Sequence, residues 1–529
     1  MRRISCNSES GVILPMVIIL MLALTITGLA FLNAAVMEHN LVSRGVYKNQ
    51  AFYLTEAGLE RTLWNLKRDF ENGSTDWTEK DPDGWVRING VPVDEGNGNI
   101  LLYDGSSEGS VDLGEGSYLV KLQYVDDGAG GYKEDELWVR STGTVKDIPK
   151  TVQMYVRIEN VFPWNNAIFA GTGITGGAVI EGNTRVHGSV LTLGENLTSS
   201  DLALDMSGGG GIRNNYEGMP VELADKIHLC PQTTFNGEWV DSLEAKLRVK
   251  RGKVGLSGTD TVGEPDLVGN FFKETMDGVY VSHGYGGNQG ANNVYSDNGT
   301  GNGYDLGDKI QFPRLTGPCP YINPFTGSLY GTYLDYLNVN SLHITETAIS
   351  GQTDDFDYPF DGKGSIKWTK QQRKLEVEGI VYVDADFLDI GDKHETIEYS
   401  GKGSLVVARS SSDEIVGDIR IHGDLVAEGT YAADKGFPTN VLGFMTGRIE
   451  LATGPGESGL TMMGAFYAEN EIVSAKQNEI SGTFVSNHFD MGKNVPRIYQ
   501  VPELADNLPP GMIASEPIWH ITTSQWSEQ

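Results

Sequence analysis

An uninterrupted apolar run of 26 residues, Val12 to Met37, constrains this chain more than any other feature. At 1.5 Å per residue, a helix of this length crosses a hydrocarbon layer of about 30 Å with some tilt. Arg2 and Arg3 precede the run, and the positive-inside rule predicts that this end stays in the cytoplasm. The run continues into Glu38 without an Ala-x-Ala cleavage site, so we expect the membrane segment to be retained.

A second helical pattern follows the apolar run and predicts an amphipathic stem over residues 38–72. Its apolar side chains recur at spacings of seven, four, three and four, which places them on one face of a helix. They are Phe52, Leu59, Leu63, Leu66 and Phe70. This face can cover the chain's own sheet, contact other subunits, or do each along a different half of the helix.

The order of these segments resembles type IV pilins and, within that class, the PilX-like minor pilins. Gly11 matches the glycine after which a prepilin peptidase cuts, so residues 1–11 correspond to a leader and Val12 to the first mature residue. The stretch Gln50–Leu63, QAFYLTEAGLERTL, is similar to a stretch about forty residues into PilX-type proteins. A plain N-terminal signal anchor is the alternative for the apolar run.

The resemblance implies a subunit of a type IV pilus or related filament that acts in assembly. It implies a single-pass inner-membrane protein with a periplasmic or extracellular body, and later a place at the cell surface in the pilus. The expected partners are the prepilin peptidase and other pilins. The residues expected to pack in the stem or filament are Met16, Phe52, Glu56, Gly58 and Leu59.

One position departs from the pattern of the family. Most major pilins carry a glutamate at the fifth mature position, where its carboxylate pairs with the N-terminal ammonium of a neighbouring subunit; here that position is Met16. An unpaired ammonium in an apolar medium is costly. The departure favours a subunit at a tip or in an initiating complex over a repeating shaft subunit.

Composition bounds the rest of the chain. With 529 residues and a net charge of −31, the chain is long enough for two or three domains and too acidic to favour nucleic acid as a partner. Cys6 lies in the leader, which leaves Cys230 and Cys319 as an even pair. In an oxidising compartment these two form a disulfide or remain two buried thiols.

Residues 80–160 have the strand-like alternation of a small antiparallel sheet. Two strands are predicted to flank a turn at residues 146–149, and Ser141, Gly143, Thr151 and Val152 match the sheet of PilX-like pilins. The chain is therefore predicted to be α+β: a long N-terminal helix with a small pilin sheet, followed by a large all-β domain.

That all-β domain is predicted over residues 163–500, with an irregular insertion at about 198–374 and a C-terminal tail over 501–529. An apolar-x-Gly-x-apolar unit recurs in it, centred on Gly188, Gly379, Gly423, Gly464 and Gly482. A glycine between two apolar side chains suits the corner of a parallel β-helix with interrupted coils. A β-sandwich has a similar texture and is the alternative.

The loop from Tyr280 to Asp308 interleaves tyrosines with Asn, Asp and Gly. This composition suits a saccharide site or a Ca²⁺ site, and a flexible surface loop is the alternative reading. The candidate oxygen ligands are Asp297, Asn298, Asp305 and Asp308. No other cofactor is predicted, and no metal site is assigned.

No catalytic residues are predicted, because the motifs that resemble active sites lack the right context. Residues 105–109 and 171–176 match glycine-rich catalytic or nucleotide motifs, but strand-like sequence follows them where a helix is required. Asp384, Asp386 and Asp389 suit a solvated strand face better than a catalytic pair. A membrane-anchored β-helix enzyme acting on carbohydrate is the alternative function.

Overall fold

The computed structural model divides into two compact units, residues 1–159 with 519–529 (unit 1) and residues 160–518 (unit 2). The residues it describes are 13–71, 86–88, 93–94, 100–101, 110–126, 132–173, 178–207, 209–235, 237–300, 310–317, 321–323, 326–409, 417–433, 435–513 and 519–528. Unit 2 is thus inserted in the sequence between two segments of unit 1.

Unit 1 consists of one long helix and a sheet. The stem helix runs over Ile13–Glu71, 59 residues, as the apolar run and the amphipathic pattern predict. The strands of this unit are Val86–Ile88, Val93–Asp94, Ile100–Leu101, Val111–Leu113, Gly116–Asp126, Tyr132–Val145, Ile148–Asn160 and Trp519–Glu528. Its described core is made by the second half of the helix and the long strands.

The main sheet of unit 1 is six-stranded, and its central strands pair antiparallel. Gly116–Asp126 pairs with Tyr132–Val145, which forms a hairpin with Ile148–Asn160. Lys146 and Asp147 both have positive φ, as the tight primed turn of a two-residue hairpin requires. Trp519–Glu528 is the strand next to Ile148–Asn160. The predicted tail therefore differs from the structure, because its last ten described residues complete this sheet.

Unit 2 is built from three rows of parallel strands, here called rows A, B and C. Row A contains, in spatial order, Leu342–Ile344, the second half of Lys374–Val383, Lys402–Val407, parts of Val441–Leu451, Thr461–Ser474 and Glu479–Asp490, then Ile168–Ala170, Val190–Thr192, Lys246–Val249 and Gly278–Val281.

Rows B and C run beside row A. Row B contains Ala348–Ile349, Phe387–Ile390, Asp418–Ile421, the ends of the three long strands, Ile180–Glu181, Leu202–Ser207, Lys253–Ser257 and Tyr285–Gly286. Row C contains the start of Lys374–Val383, Thr396–Ser400, Asp424–Ala427, the starts of two long strands, Arg497–Tyr499, Arg185–His187, Gly211–Arg213 and Thr261–Val262.

Along the sequence, successive strands belong to rows A, B and C in that fixed order. The first of these strands, Ile168–Ala170, lies in the middle of its row and not at an end. From residue 168 the chain advances through successive rounds to residue 297 at one end. It then crosses to the other end, resumes at residue 342 and returns to residue 499. The two halves meet where Phe484 pairs with Ile168 in row A and Ile498 pairs with Val186 in row C. We call this junction the seam.

Buried apolar side chains form a continuous ladder along row A. Register partners follow one another across the seam, and all are buried: Val381, Leu405, Phe444, Phe466, Phe484, Ile168, Val190, Leu247 and Val279. The rings of Phe444 and Phe466 lie 5.0 Å apart, and those of Phe466 and Phe484 4.8 Å. The two halves of unit 2, before and after the crossing segment, therefore share one core.

Residues 310–317, a described part of the segment that crosses between the two ends, pack against the outer side of row A. Phe312 stacks on Phe169 and Tyr467, and the Tyr467 hydroxyl donates a hydrogen bond of 2.6 Å to the carbonyl of Pro313. The Glu469 carboxylate accepts a 2.7 Å hydrogen bond from the Leu315 N–H. These contacts hold the crossing segment and bury aromatic residues on both sides of the row.

The glycines of the recurring unit lie where the chain turns from one row to the next. Gly188, Gly379, Gly464 and Gly482 lie at the passage from row C to row A, and Gly423 at the passage from row B to row C. Gly482 has a φ of 143°, and an added Cβ there would collide with the carbonyl oxygen of Gly464.

The stretch predicted as an irregular insertion differs in part from the structure. Strands of all three rows lie between residues 202 and 281, and the longest is Leu202–Ser207. Their sequence signal is weak because they are short and separated by loops. Elements outside the rows include the hairpins Gln232–Phe235 with Glu238–Asp241, Tyr321–Ile322 with Leu329–Tyr330 and Phe356–Tyr358 with Gly364–Thr369, and the helices Val221–Ala224 and Tyr333–Val339. Short 3-10 helices are Pro163–Asn165, Gly290–Asn293, Lys370–Gln372, Tyr431–Ala433 and Pro502–Asn507.

Candidate filament-assembly surface

The first half of the stem helix exposes almost all of its apolar side chains. Every residue from 14 to 42 is exposed, including Phe31 at 73%. The hydroxyls of Thr25 and Thr27 donate to the carbonyls of Met21 and Ala23, one turn earlier, so their polar atoms are satisfied within the helix. By length and composition this helix can cross a membrane. An apolar surface of this size requires lipid or protein around it.

Of the residues expected near the start of the mature chain, the structure describes Met16 but not Gly11 or Val12. Gly11 and Val12 lie outside the described residues. Met16 lies in the first described turns of the helix, and 71% of it is exposed. The surface around it carries no charge in the described helix until Glu38. Met16 is therefore an apolar part of an apolar surface.

The second half of the helix docks on the sheet of unit 1. Ala51, Leu54, Leu59 and Leu66 are buried there together with sheet residues such as Val139. The residues predicted to pack are thus divided. Gly58 and Leu59 lie against the chain's own sheet, Phe52 and Glu56 are half-buried, and Met16 is exposed.

Helix and sheet approach closely at Thr55 and Gly143. The Gly143 N–H donates a hydrogen bond of 2.9 Å to the Thr55 hydroxyl, which lies 3.0 Å from the carbonyl oxygen of Lys150. A Cβ on Gly143 would collide with the carbonyl of Ala51 and lie 2.8 Å from the Thr55 N. A Cβ on Gly58 would lie 2.5 Å from the Ser141 hydroxyl. Glycine at these positions lets the two backbones approach.

Sequence reasoning identified Gly58 but missed the buried threonines on the same face. Thr55 and Thr62 are both buried, and the Thr62 hydroxyl donates to the carbonyl of Gly58. The available signal was a stripe of small residues at spacings of four, three and four. Its members are Ala51, Thr55, Gly58 and Thr62. The apolar pattern did not include threonine.

Two polar contacts join the helix to the sheet at the edges of this face. The Lys146 ammonium donates a hydrogen bond of 2.8 Å to the Tyr47 hydroxyl and lies 4.5 Å from the centre of that ring. The bond to Tyr47 raises the pKa of Lys146 above its usual value. The Arg61 guanidinium donates to the Tyr118 hydroxyl at 3.2 Å. Both contacts orient the stem on the sheet of unit 1.

The candidate cation ligands of the tyrosine-rich loop serve other contacts where they are described. The Asp297 carboxylate accepts bonds from Thr275 and from the Lys273 ammonium, at 2.9 and 2.8 Å. Burial alone would lower the pKa of Lys273, but its carboxylate partners outweigh burial and raise it. Asp305 and Asp308 lie outside the described residues. The part of the chain that the structure describes contains no group of three acidic, His or Cys side chains placed to hold a metal.

Asn298 pairs with the last strand of row A. Its side-chain oxygen accepts a hydrogen bond of 2.9 Å from the Val279 N–H, and its amide nitrogen donates to the Val279 carbonyl at 3.4 Å. The side chain thereby takes the place that a further strand would occupy. This contact caps the open edge of the row at Gly278–Val281.

The cysteine and aspartate candidates lie at separate places in unit 2. Cys230 is half-buried, and burial raises the pKa of its thiol to about 12. Cys319 lies outside the described residues, so the disulfide stays a prediction. Asp386 forms an ion pair with Arg409, and Asp389 lies 3.6 Å from Arg420. Both carboxylates belong to a row of charge pairs on the outer side of row B.

Among solved structures, the crystal structure of the competence-associated pilin ComZ from Thermus thermophilus is similar to this chain, with a TM-score of 0.52 and 19% sequence identity. The match covers 91% of this chain and 97% of ComZ. This chain folds like a pilin. No protein-family model matches it, and no curated protein does. At this identity the likeness is one of fold, and it extends over both units.

Proposed function

We propose that this protein is a minor pilin-like subunit of a type IV pilus or a related filament, and that it acts in assembly or initiation. The observation that carries the proposal is the division of the stem helix. Its second half is buried on the sheet of its own chain, while residues 14–42 are exposed and carry no charge before Glu38. The exposed half can lie in the inner membrane and later pack against the stems of other pilins.

The proposed processing follows the PilX-type resemblance of the sequence. A prepilin peptidase removes residues 1–11 after Gly11, and Val12 becomes the methylated first residue of the mature chain. Mass spectrometry of the N-terminus tests this proposal. A mature chain that begins at Val12 and requires the peptidase supports it. A chain that keeps Met1 in a strain with active peptidase contradicts it.

The proposed position in the filament follows from Met16. A subunit without a carboxylate there leaves the ammonium of its neighbour unpaired, which disfavours repeated use along a shaft. Immunogold labelling of a tag on unit 2 is expected to mark filament ends. Met16→Glu is expected to move label onto the shaft, and Met16→Gln, which is polar but uncharged, to leave it at the ends. Shaft labelling of the unmodified protein would contradict the tip position.

For unit 2 we propose a parallel β-helix whose coils are interrupted by insertions. The fixed order of rows A, B and C, and the glycines at the turns between rows, support this description. We further propose that this unit projects from the filament and contributes to adhesion. Loss of surface attachment in a strain whose filaments form normally but lack residues 160–518 would support it, and unchanged attachment would contradict it.

A further inference from the structure

Two arginines lie side by side where the seam crosses row C. Arg185 and Arg497 are register partners in adjacent parallel strands, one from each half of unit 2. The residues that follow them, Val186 and Ile498, are buried in the core, so both arginines extend from the opposite side of the row. Like charges in neighbouring positions of adjacent strands destabilise a sheet unless counterions accompany them.

The next strand of row C adds a third guanidinium to this face. Arg213 ends the strand on the other side of Arg185. Two of the three guanidiniums have an acidic partner: that of Arg213 lies 2.5 Å from the Glu264 carboxylate, and that of Arg497 lies 3.3 Å from the Glu479 carboxylate. Arg185 lies between these two ion pairs in the order of the strands.

Arg185 has no such partner among the described residues. Its guanidinium donates one long hydrogen bond, of 3.5 Å, to the carbonyl of Gly209, and its Nε is buried without an acceptor. The Asp260 carboxylate lies near the same loop, but it accepts from the N–H groups of Gly209, Gly210 and Ser257. A buried donor without an acceptor is destabilising, so an acceptor from outside the chain would be bound favourably.

His187 lies on the same face and does not supply a counterion. Its Nδ1 lies 2.6 Å from the carbonyl oxygen of Asn215, and its ring stacks on Tyr499 at 4.6 Å. Burial, with a smaller contribution from Arg213 and Arg185, lowers the pKa of His187 to about 3. The ring is therefore neutral at physiological pH, and the positive charge of Arg185 stays uncompensated beside it.

The chemistry of this place selects a small tetrahedral oxyanion. A guanidinium offers only donors, in a planar fork that matches two oxygens of a carboxylate, sulfate or phosphate. One fork takes both oxygens of a carboxylate, whereas a tetrahedral anion keeps further oxygens for Arg497. A polyanion is disfavoured, because adjoining strands of row B carry Asp490, Glu181 and Asp205 in register across the same seam. Arg185 is itself partly covered, which also suits an ion better than a chain.

We propose that Arg185 and Arg497 bind a small tetrahedral oxyanion, phosphate or sulfate, across the seam. The ion accepts from the Arg185 Nε and from N–H groups of Arg497 that do not point to Glu479, since a guanidinium has five donors. One strand from each half of unit 2 then holds the ion, which stabilises the closed seam together with the apolar ladder of row A. The inference goes beyond the proposed function and does not depend on it.

The test is hydrogen exchange of the full-length chain in detergent, followed at residues 185–187 and 497–499. Sodium phosphate, sodium sulfate and sodium acetate are compared with sodium chloride at matched ionic strength. Phosphate or sulfate is expected to slow exchange at these residues in a saturable way. If the ion binds only the closed seam, the slowing is about tenfold at ten times Kd.

Arg185→Gln separates the effect of the ion from that of the fold. The variant loses a charge without a counterion, so in chloride it is expected to resist urea at least as well as the unmodified chain. In phosphate or sulfate the unmodified chain gains stability, and the variant does not. Arg185→Lys keeps the charge without the fork and is expected to bind the ion at least about tenfold more weakly.

Two further arginines provide matched controls. Arg409→Gln changes a guanidinium that is paired with Asp386 on the outer side of row B, and it is expected to keep the full response to the anion. Arg213→Gln breaks the ion pair with Glu264, so it is expected to lose stability already in chloride, unlike Arg185→Gln.

Three results would overturn the proposal. One is exchange at the seam that neither phosphate nor sulfate slows beyond the effect of chloride. Another is an equal response of Arg185→Gln and the unmodified chain, which would place the ion elsewhere. The third is a response to acetate alone, which would refute the assignment to a tetrahedral anion.

Discussion

Phe484 and Ile168 are register partners in adjacent parallel strands. Ile168 lies near the start of unit 2 in the sequence, whereas Phe484 lies near its end. Because the partners come from the two ends of the unit, the seam closes only when both halves of the chain are present. The indole N–H of Trp164 adds a 2.9 Å bond to the carbonyl of Ile513 beside it. The two connections to unit 1 are thereby tied together within unit 2.

Phe484→Ala is expected to open the seam selectively. The ring is fully buried, and truncating a buried phenylalanine costs about 3–5 kcal/mol. Hydrogen exchange should accelerate at residues 168–170 as well as at 484–486. Phe444→Ala is a matched control, because it removes a ring of the same ladder whose partners both belong to the C-terminal half. Equal exchange patterns in the two variants would contradict a distinct seam.

Gly143→Ala is expected to push the stem helix away from its sheet. The added methyl would collide with the helix backbone at Ala51 and disturb the hydrogen bond to Thr55, and overpacking of this kind costs about 1–3 kcal/mol. Gly45→Ala is the control, because its added Cβ has nothing within 4 Å in the single chain. Thermal unfolding in detergent should show a loss for the first variant and none for the second.

Gly45→Ala also separates folding from assembly. Alanine favours a helix by up to about 1 kcal/mol over glycine, so the single chain should keep or gain stability. If stems approach closely at Gly45, the same change will reduce incorporation into filaments. Unchanged incorporation would show that this part of the stem does not contact a neighbour.

The features that the sequence predicts best are those encoded by neighbouring residues. The stem helix follows from the apolar run and from the spacing of residues such as Leu59, and the hairpin follows from alternation around Lys146. The turns at Gly188 and Gly482 were predicted because each glycine separates two apolar residues close to it in sequence. Local spacing is sufficient for such features.

Features that depend on distant pairing could not be read in this way. Nothing near Trp519 indicates that its strand completes a sheet made by residues 116–160, and nothing near Ile168 indicates that Phe484 is its partner. Thr55 was missed because its hydroxyl is satisfied by a glycine of the sheet, 88 residues away. Asn298 was assigned to a cation site by composition, whereas its amide is paired with Val279.

Asn298→Ala is expected to uncover the last strand of row A. The Val279 N–H loses its acceptor, so its hydrogen exchange should accelerate, and an open strand edge favours association between copies. Asn494→Ala is the control, since that side chain donates to the Ala475 carbonyl away from this edge. Sedimentation velocity measures association. Identical behaviour of both variants would show that Asn298 has no capping role.

Cys230 is expected to resist alkylation in the folded chain. A thiol whose pKa is raised to about 12 by burial holds almost no thiolate at pH 8, and the thiolate is the reactive form. Intact mass after iodoacetamide treatment, with and without prior reduction in denaturant, distinguishes a slow thiol from a disulfide with Cys319. Rapid labelling of the native chain at Cys230 would contradict the buried environment.

His187 is expected to make unit 2 sensitive to acid. Burial lowers its pKa from 6.5 to about 3, and Arg213, Arg185 and Arg497 oppose its charging further. Because the unfolded chain takes up this proton at a higher pH than the folded chain does, stability should fall as pH drops below about 6.5, by about 1.4 kcal/mol per unit.

His187→Gln removes the titrating group. Urea unfolding of unit 2 between pH 7 and 4 measures the free energy of unfolding of both proteins. The difference between the unmodified chain and this variant is expected to decrease at the same rate as the pH falls. His228→Gln, which changes a half-exposed ring, is the control and should keep the pH dependence of the unmodified chain. If His187→Gln also has the same pH dependence of stability as the unmodified chain, His187 is not the source of the acid sensitivity.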